Sequence, residues 1–303
     1  MRNTTPYTMT MKIHVTGAKG FLARWIVPLL RQSHEVCASD RDSLDVTDAR
    51  AVRDRFADEQ PDVVIHLAAL CGAQPSRDNP PAFFLVNAQG AVNVMEACRR
   101  TGVKRFLFFS SMTVFGSGDE PRTEASPFAP RHPYAVSKVA AEYAALNYCQ
   151  TWGIKTLVLR PTLVVGEGYK EPHAVGDFVE TVLRGDRITL FGGGQHVRDF
   201  VHPEDVARAT KLAAERLMSD AAPEHESFNI SSGQAYRMID LADLVIHETG
   251  RGSRVVGPVS NQSFSLYTSI DRARNLLGYQ PRVSTRDIIQ RLMAQHQTKV
   301  GAA

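Results

Sequence analysis

The chain has 303 residues, with 35 Lys and Arg against 32 Asp and Glu, and its formal net charge is +3. Hydrophobic residues make up 43% and charged residues 22% of the total, which is typical of a globular protein and excludes disordered, collagenous and fibrous classes. The basic residues are scattered, so charge gives no reason to expect binding to nucleic acid or to a membrane surface.

The four cysteines, Cys37, Cys71, Cys98 and Cys149, lack CxxC spacing. This pattern predicts reduced thiols in a cytoplasmic protein, with neither a disulfide nor a metal site. The polar opening, Met1–Thr10, lacks the apolar run of a signal peptide and is predicted to be a frayed extension. No apolar run approaches the length that a membrane-spanning helix needs.

Continuous apolar runs alternate with helical patterns through the first half of the chain. The predicted strands are Lys12–Thr16, Glu35–Ser39, Asp62–Ala68, Arg105–Ser110 and Lys155–Leu159. The predicted helices are Phe21–Gln32, which Pro28 should kink, Asn87–Thr101 and Tyr134–Trp152. Strands alternating with helices predict an α/β fold of the Rossmann type, with a parallel, doubly wound sheet.

After Pro161 the pattern changes, because glycine-rich and polar segments interrupt shorter elements. The elements expected there are helices near Pro203–Met218, Met238–Thr249 and Thr285–Gln295 and a strand near Ser227–Ile230. We therefore expect a dinucleotide-binding domain over residues 11–161 plus about 200–233. The rest, about 162–199 plus 234–303, is expected to form a smaller C-terminal lobe that binds substrate.

A glycine turn follows the first strand, where Gly17, Gly20 and Ala23 stand in Gly-x-x-Gly-x-x-Ala spacing. Glycine lets the backbone approach a pyrophosphate, which then lies at the helix N-terminus. Asp40 ends the second strand and would accept hydrogen bonds from an adenosine ribose, which favours NAD. Arg41 beside it could pair with a 2′-phosphate, so NADP stays open.

A second constellation joins Ser110 and Ser111, at the end of the fourth strand, with Tyr134 and Lys138 on one helix face. A free tyrosine has a pKa near 10 and is a poor base at neutral pH. A neighbouring ammonium group would favour the phenolate, which makes Tyr134 usable as an acid or a base. Ser111 would hold the reacting oxygen of the substrate. The alternative is an ordinary amphipathic helix whose lysine extends to solvent.

These motifs resemble those of the extended short-chain dehydrogenases/reductases, also called the NAD-dependent epimerase/dehydratase family. The resemblance is carried by the runs TGAKGFLA, HLAAL, NAQG, FFSSMTVFG, PYAVSK and LRPT, and it covers roughly residues 11 to 295. It implies a bound nicotinamide nucleotide and a catalytic triad of Ser111, Tyr134 and Lys138. The further cofactor contacts that it implies are Phe21, Leu22, Asp40, Asp45, Val46, Leu67, Ala68 and Asn87. For Asp45 the alternative is capping the helix from Asp48.

On the substrate side, the run VRDFVH is similar to a family segment whose arginine contacts the diphosphate of a nucleotide sugar. Arg198 is therefore the expected substrate anchor; the alternative is a structural surface pair of Arg198 with Asp199. Two departures from the family's epimerases stand out: Leu163 replaces the usual Asn, and no second phosphate-binding arginine is evident in Gly257–Ser269. Gly192–Gly194 forms either a glycine turn near the substrate or a simple hairpin turn, and we favour the turn.

The resemblance also bears on the reaction. The family's 4,6-dehydratases carry Asp-Glu after the catalytic residue, whereas Met112 and Thr113 follow Ser111 here. A dehydratase is therefore not expected. An NAD-dependent sugar epimerase is slightly favoured over an NAD(P)H-dependent 4-keto-deoxysugar reductase, and a non-catalytic NAD(P)-sensing protein is the alternative from another class. A homodimer built from the helices Asn87–Thr101 and Tyr134–Trp152 is expected.

Overall fold

The computed structural model describes residues 10–220, 223–259 and 265–301, so the expected extension before Thr10 lies outside the described residues. The strands in the described part, in chain order, are β1 (Lys12–Thr16), β2 (Glu35–Ser39), β3 (Val63–His66), β4 (Arg105–Phe109), β5 (Lys155–Pro161), β6 (Leu163–Val164), β7 (Arg187–Leu190), β8 (Val197–Val201), β9 (His225–Ile230), β10 (Ala235–Arg237) and β11 (Ser253–Val256). The helices are α1 (Ala23–Leu30), α2 (Ala49–Glu59), α3 (Ala73–Asp78), α4 (Pro80–Phe83), α5 (Gly90–Thr101), α6 (Pro133–Trp152), α7 (Ala174–Leu183), α8 (Pro203–Met218), α9 (Met238–Thr249), α10 (Asp271–Leu277) and α11 (Thr285–Gly301).

The chain divides into two compact units. The first unit comprises Met1–Val114, Pro130–Arg160 and Ala207–Phe228, and the second unit comprises Phe115–Ala129, Pro161–Val206 and Asn229–Ala303. This division differs from the expected domains chiefly in residues 115–129, which join the second unit. There the Glu124 carboxylate accepts a hydrogen bond from the backbone N–H of Asn229. Local sequence patterns do not predict contacts between residues so far apart in the chain.

Six strands form one sheet in the order β2-β1-β3-β4-β5-β9. The pairs β1/β2, β1/β3, β3/β4 and β4/β5 are parallel, which confirms the expected doubly wound α/β fold. β1 and β2 have the predicted bounds, but β3 ends at His66 instead of Ala68. The chain leaves the sheet at that point, because the backbone N–H of Ala68 donates to the Thr16 hydroxyl.

One face of this sheet is covered by α2, α5 and α6. Phe56 of α2, Val94 of α5 and Ala145 of α6 are fully buried against Phe106 and Val158 of the strands. Small residues on α6 allow the helix to approach the sheet closely, while the apolar faces of α2 and α5 supply the bulk of this core. Lys138 in the first half of α6 donates to the carbonyl of Phe109, which places that part of the helix beside the end of β4.

Two helices of the first unit differ from the prediction. Helix α1 is shorter than the expected Phe21–Gln32, and Pro28 falls in its last turn, where its missing N–H removes a single helical hydrogen bond. The expected helix from Asn87 is preceded by a π-helix over Phe84–Gln89, and α5 begins only at Gly90. None of the described helices is long and apolar enough to cross a membrane.

The second unit holds a three-stranded sheet in the order β10-β8-β6 and a two-stranded parallel sheet of β11 and β7. Its core includes Val179 of α7, Val245 of α9 and Ile288 of α11. The sequence analysis missed α7 and most of the short strands here. Gly192–Gly194 is a short 3₁₀ turn between β7 and β8. Those two strands belong to different sheets, so the interpretation as a hairpin turn is wrong.

Candidate active site

The candidate site of the first unit lies at the carboxyl edge of its sheet. Gly17 follows β1, Asp40 follows β2, Leu67 follows β3 and Ser110 follows β4. Because these strands are parallel, their ends lie along one edge, which is where ligands bind in open α/β sheets. The structure thus brings together segments that are up to about ninety residues apart in the chain.

The glycine turn is built for close approach. Gly17 has a φ of 77°, and a Cβ atom added there would lie 2.7 Å from the backbone nitrogen of Ala68. The turn is closed by a hydrogen bond from the N–H of Gly20 to the carbonyl of Gly17, and Phe21 and Leu22 then lead into α1. The first N–H groups of a helix attract an anion, so this turn fits the pyrophosphate of a dinucleotide.

Asp40 is held in one orientation by its own loop. Its Oδ1 accepts hydrogen bonds from the backbone N–H groups of Asp42 and Ser43, and its Oδ2 lies 2.8 Å from Nζ of Lys19. The hydrogen bond from Lys19 and those from Ser43 lower the pKa of Asp40 to about 2. The carboxylate is therefore ionised and suited to accept from ribose hydroxyls. Lys19 was not among the predicted site residues, although its position within the glycine turn was the available signal.

The sequence left open whether Asp45 caps the following helix or contacts the cofactor, and the structure shows which residue is the cap. Asp48 caps α2, accepting from the backbone N–H groups of Arg50 and Ala51. Asp45 accepts instead from the N–H and the hydroxyl of Thr47. The interpretation of Asp45 as the helix cap is therefore wrong. Val46 next to it is buried, and Arg41 is exposed, with its Nε 3.8 Å from the Asp45 carboxylate.

Asn87 lies in the π-helix and links two parts of the site. Its amide oxygen accepts from the N–H of Leu70, and its amide nitrogen donates to the Leu70 carbonyl and to the Ser137 hydroxyl. That hydroxyl in turn donates to the carbonyl of Tyr134. A π-helix often marks a functional site, and here it ties the loop after β3 to the first turn of α6.

Lys138 is buried in the first unit, only 3% exposed. Its Nζ donates to the carbonyl of Phe109, the last residue of β4, at 2.8 Å, and lies 5.0 Å from the centre of the Phe108 ring. Burial lowers the pKa of Lys138 to about 8, against smaller opposing effects of Cys71 and Glu142. The ammonium group is thus anchored two residues before Ser111.

Tyr134 stands in the first turn of α6, one turn before Lys138. His132 caps this helix by accepting from the N–H of Ala135, and its ring stacks parallel to that of Tyr134, with 5.9 Å between the ring centres. The edge of Phe83 packs against the same phenol ring at 6.2 Å. Contacts on two sides thereby restrict the orientation of Tyr134.

Ser111 begins a 3₁₀ turn over Met112–Phe115. Its Oγ accepts from the backbone N–H of Thr113 at 3.2 Å and from the hydroxyl of Thr113 at 3.0 Å. Ser111 is 8% exposed. The three residues of the expected triad, Ser111, Tyr134 and Lys138, thus belong to one unit, and Lys138 contacts the strand that leads to Ser111.

Arg198 lies in the second unit, on β8. It is half-buried, its Nη1 donates to the carbonyl of Val197, and burial lowers the pKa of its guanidinium. Asp199 is buried and accepts from the N–H and the hydroxyl of Ser232 and from the N–H of Gly233. Burial raises the pKa of Asp199 to about 6. Since Asp199 is not at the surface, the alternative of a surface pair with Arg198 is wrong.

The second unit also contains a cavity of about 570 Å³, a volume typical of small-molecule sites. Its lining includes two histidines and two aromatic rings, His173, His196, Phe178 and Phe191. Phe191 is 80% exposed. The sequence analysis missed this cavity, since its lining comes from segments that looked glycine-rich and irregular. Of the segment Gly257–Ser269, residues 260–264 lie outside the described residues.

The comparisons with known proteins agree with this geometry. The family model described as NAD dependent epimerase/dehydratase family matches residues 13–231. A putative UDP-glucose 4-epimerase of Methanocaldococcus jannaschii is 29% identical, with 93% of this chain and 97% of that protein covered. A dTDP-glucose 4,6-dehydratase of Streptomyces antibioticus is 31% identical, with 78% and 70% covered.

Among solved structures, the UDP-glucose 4-epimerase of Thermus thermophilus in complex with NAD is similar. It is 30% identical, its TM-score is 0.79, and 94% of this chain and 98% of that chain are covered. The family model covers well over half of the chain, and the glycine turn and the Tyr–Lys pair of the family stand in the same unit. The chain therefore belongs to the NAD-dependent epimerase/dehydratase family and is an enzyme with NAD as its cofactor.

Proposed function

We propose that this enzyme is a nucleotide-sugar epimerase that inverts a hydroxyl-bearing carbon of a UDP-sugar through a keto intermediate. The observation that carries the proposal is the anchoring of Lys138, which lies one helical turn beyond Tyr134 on α6. Its Nζ donates a hydrogen bond to the carbonyl of Phe109. A buried ammonium group at that place favours the phenolate of Tyr134. This arrangement is suited to moving a proton between the enzyme and a sugar hydroxyl.

Each residue of the triad has a separate task in this reaction. Tyr134 takes the proton of the sugar hydroxyl during oxidation and gives it back during reduction. The positive charge of Lys138 favours the phenolate form of Tyr134, and Ser111 binds the reacting oxygen. Bound NAD would supply the reversible oxidation itself, held by Gly17 and Gly20 at its pyrophosphate and by Asp40 at its ribose.

The turn after Ser111 favours epimerisation over dehydration. A dehydratase must also remove a proton and a hydroxyl group from neighbouring carbons, for which a carboxylic acid is the usual group. The 3₁₀ turn Met112–Phe115 contains no carboxylic acid, and Thr113 stands where its side chain contacts Ser111. Similarity to a dehydratase therefore supports the family and the cofactor, not a dehydration step.

The second unit supplies groups suited to a nucleotide sugar. The Arg198 guanidinium presents a planar fork of donors that matches phosphate oxygens. The cavity lined by Phe178 and Phe191 offers aromatic surface of the kind on which a nucleobase stacks. We assign Arg198 to the diphosphate, while relatives named UDP-glucose 4-epimerase support uridine as the nucleotide.

A 4-keto-sugar reductase is the second candidate, and a specific observation favours it. Lys19 contacts both Asp40 and Asp42, and Arg41 is exposed next to Asp40 in the chain, so two cations near the carboxylate assigned to the ribose are available to pair with a 2′-phosphate. An enzyme that consumes NADPH in each turnover would use these cations. An epimerase retains its cofactor and has no need of them.

The experiment begins with the nucleotide released from freshly purified, denatured protein, identified by mass spectrometry. The same protein is then given a panel of UDP-, dTDP- and GDP-sugars, with Tyr134→Phe as the matched control. Stoichiometric NAD and sugar isomerisation without added cofactor support the epimerase. Consumption of NAD(P)H only with a keto sugar would establish the reductase. Tight NAD(P) binding with no turnover of any sugar in the panel would favour the non-catalytic sensor.

We also propose that the enzyme is a homodimer in which α6 packs against a second copy. Val136, Ala140, Tyr143 and Asn147 recur along one face of α6 and are exposed, and Tyr143 is 60% exposed. Apolar groups outside the stripe that packs on the core need a second partner. Sedimentation should give twice the chain mass of 33.4 kDa, and Tyr143→Lys should shift the enzyme toward the single chain.

A further inference from the structure

The hydroxyl group of Ser111 already accepts two hydrogen bonds, which leaves its hydrogen to donate. A serine hydroxyl has two acceptor lone pairs and one hydrogen to donate. Within the part of the chain that the structure describes, two hydrogen bonds reach Ser111 Oγ, and both come from Thr113: one from its backbone N–H at 3.2 Å and one from its hydroxyl at 3.0 Å. Both lone pairs are therefore engaged within the turn, and the O–H of Ser111 is what remains for a ligand.

We propose that Thr113 is a positioning residue that makes Ser111 an obligatory hydrogen-bond donor to the reacting oxygen of the substrate. This inference rests on the proposed function, because it concerns the same hydroxyl or keto carbon. A keto oxygen or an alkoxide can only accept, whereas a sugar hydroxyl can also donate. Ser111 with its lone pairs engaged therefore binds the carbonyl and the developing oxyanion better than it binds the ground-state alcohol.

The proposal also separates Ser111 from Tyr134. A serine whose two lone pairs already accept hydrogen bonds is poorly placed to take a proton from the substrate, so the proton transfer is assigned to Tyr134 and not to Ser111. The Thr113 hydroxyl adds a second effect, because hydrogen bonds in series polarise one another. Donation from Thr113 into Ser111 Oγ makes the Ser111 O–H a stronger donor. Charge that develops on the substrate oxygen is thereby stabilised where it forms.

The competing explanation is that Ser111 merely caps the 3₁₀ turn Met112–Phe115. Serine side chains commonly accept from the backbone N–H two residues ahead in such turns, and the bond from Thr113 N is of this kind. The bond from the Thr113 hydroxyl is not needed for that cap. A valine has the same shape as threonine but lacks the hydroxyl, so Thr113→Val keeps the cap and removes only the proposed contact.

The test compares the wild type, Thr113→Val and Thr113→Ser, with the sugar that the wild type turns over. Thr113→Val should lower kcat about tenfold, less than the hundredfold or more expected when a direct oxyanion donor is lost. KM should stay within about twofold, since the ground-state contact changes little. Thr113→Ser retains a hydroxyl and should recover kcat to within about threefold of the wild type.

The same substitution is then made in the Ser111→Ala background. If Thr113 acts through Ser111, the double variant Ser111→Ala/Thr113→Val should be as active as Ser111→Ala within about twofold. A further tenfold loss in that background would show a structural role and overturn the proposal. An unchanged kcat in Thr113→Val, or a failure of Thr113→Ser to recover it, would also overturn it.

The outcomes separate this inference from the proposed function. A wild type that turns over no sugar of the panel overturns both. A wild type that turns over a sugar, with Thr113→Val equally fast, overturns the role of Thr113 alone and leaves the function intact. The NAD content of each purified variant is measured alongside, and it should equal that of the wild type because Thr113 is not among the residues assigned to NAD.

Discussion

The two units of this chain hold their candidate ligand groups in different ways. In the first unit, Lys138 is anchored by a backbone carbonyl at a strand end, and Asp40 by N–H groups of its own loop. In the second unit, Arg198 is the second residue of β8 and donates to the carbonyl of the residue before it. Both cations are buried enough for their pKa values to be lowered.

The difference indicates how each unit tolerates change. Groups anchored at the ends of parallel strands depend on the sheet, so they are fixed wherever the sheet forms. The cavity of the second unit depends on α7, β7 and the loop around His196, which share no such edge. We therefore expect the first unit to specify the chemistry and the second unit to specify the substrate. Four variants test this division.

The largest effect is expected for Tyr134→Phe. This substitution removes the proton-transfer group while keeping the ring that packs against His132 and Phe83. Turnover should fall at least about a hundredfold, because general acid–base catalysis contributes that much or more. NAD content, measured on denatured protein, should stay unchanged. Near-wild-type turnover would remove Tyr134 from the mechanism.

Lys138→Met should also lower turnover, and it should change how the stability of the protein depends on pH. The pKa of Lys138 falls from 10.5 to about 8 on folding, so between those values the unfolded chain binds more protons than the folded chain. The wild type should therefore gain stability as pH rises from about 8 to 10.5. Below about pH 8 the buried charge costs about 3 kcal/mol, the equivalent of the shift.

The measurement is chemical denaturation of Lys138→Met and wild type without added cofactor, at about pH 7 and pH 10. The free energy of unfolding of the variant minus that of the wild type should fall by roughly 3 kcal/mol from about pH 7 to about pH 10. Lys104→Met, on the surface of the same unit, is the control and should show no such trend. A difference that does not change with pH would mean that the ammonium group is solvated in the folded protein.

Arg198→Ala addresses the second unit. Loss of a charge-assisted hydrogen bond costs about 1.5–3 kcal/mol, so KM should rise about ten- to a hundredfold. NAD content and kcat should change little, because the contact is remote from the reacting carbon. Arg184→Ala, an exposed arginine of the same unit, serves as the control. Loss of NAD instead of substrate affinity would contradict the assignment of Arg198.

The smallest effect is expected for Asp40→Ala. The wild type should prefer NAD(H), since the Asp40 carboxylate repels a 2′-phosphate, and the variant should narrow that preference about fivefold, as for an exposed charge pair. Asp42→Ala is the matched control, because Asp42 also contacts Lys19 but is not the residue that directly follows β2. Tighter binding of NADPH than of NADH by the wild type would show that Lys19 and Arg41 govern the choice.

Much of the first unit follows from local sequence. β1 and β2 have their predicted bounds, and Gly17, Asp40 and Ser111 follow strands as expected. Continuous apolar runs specify buried parallel strands, and glycine specifies a turn that other residues cannot adopt. In the second unit the helix α9 was predicted with its observed bounds, but α7, β7 and β8 were not predicted. Four- and five-residue strands between glycines carry too weak a pattern.

By itself, the sequence determined the order of strands and helices in the first unit and the chemical types present at the strand ends, because both depend on neighbours in the chain. Only the tertiary structure decided what those groups do. The burial of Lys138 lowers its pKa, and the carbonyl that holds its Nζ belongs to Phe109, 29 residues away. The contact of Lys19 with Asp40 and the cavity of the second unit likewise join distant segments. Long-range packing sets such contacts, and no spacing within the sequence encodes them.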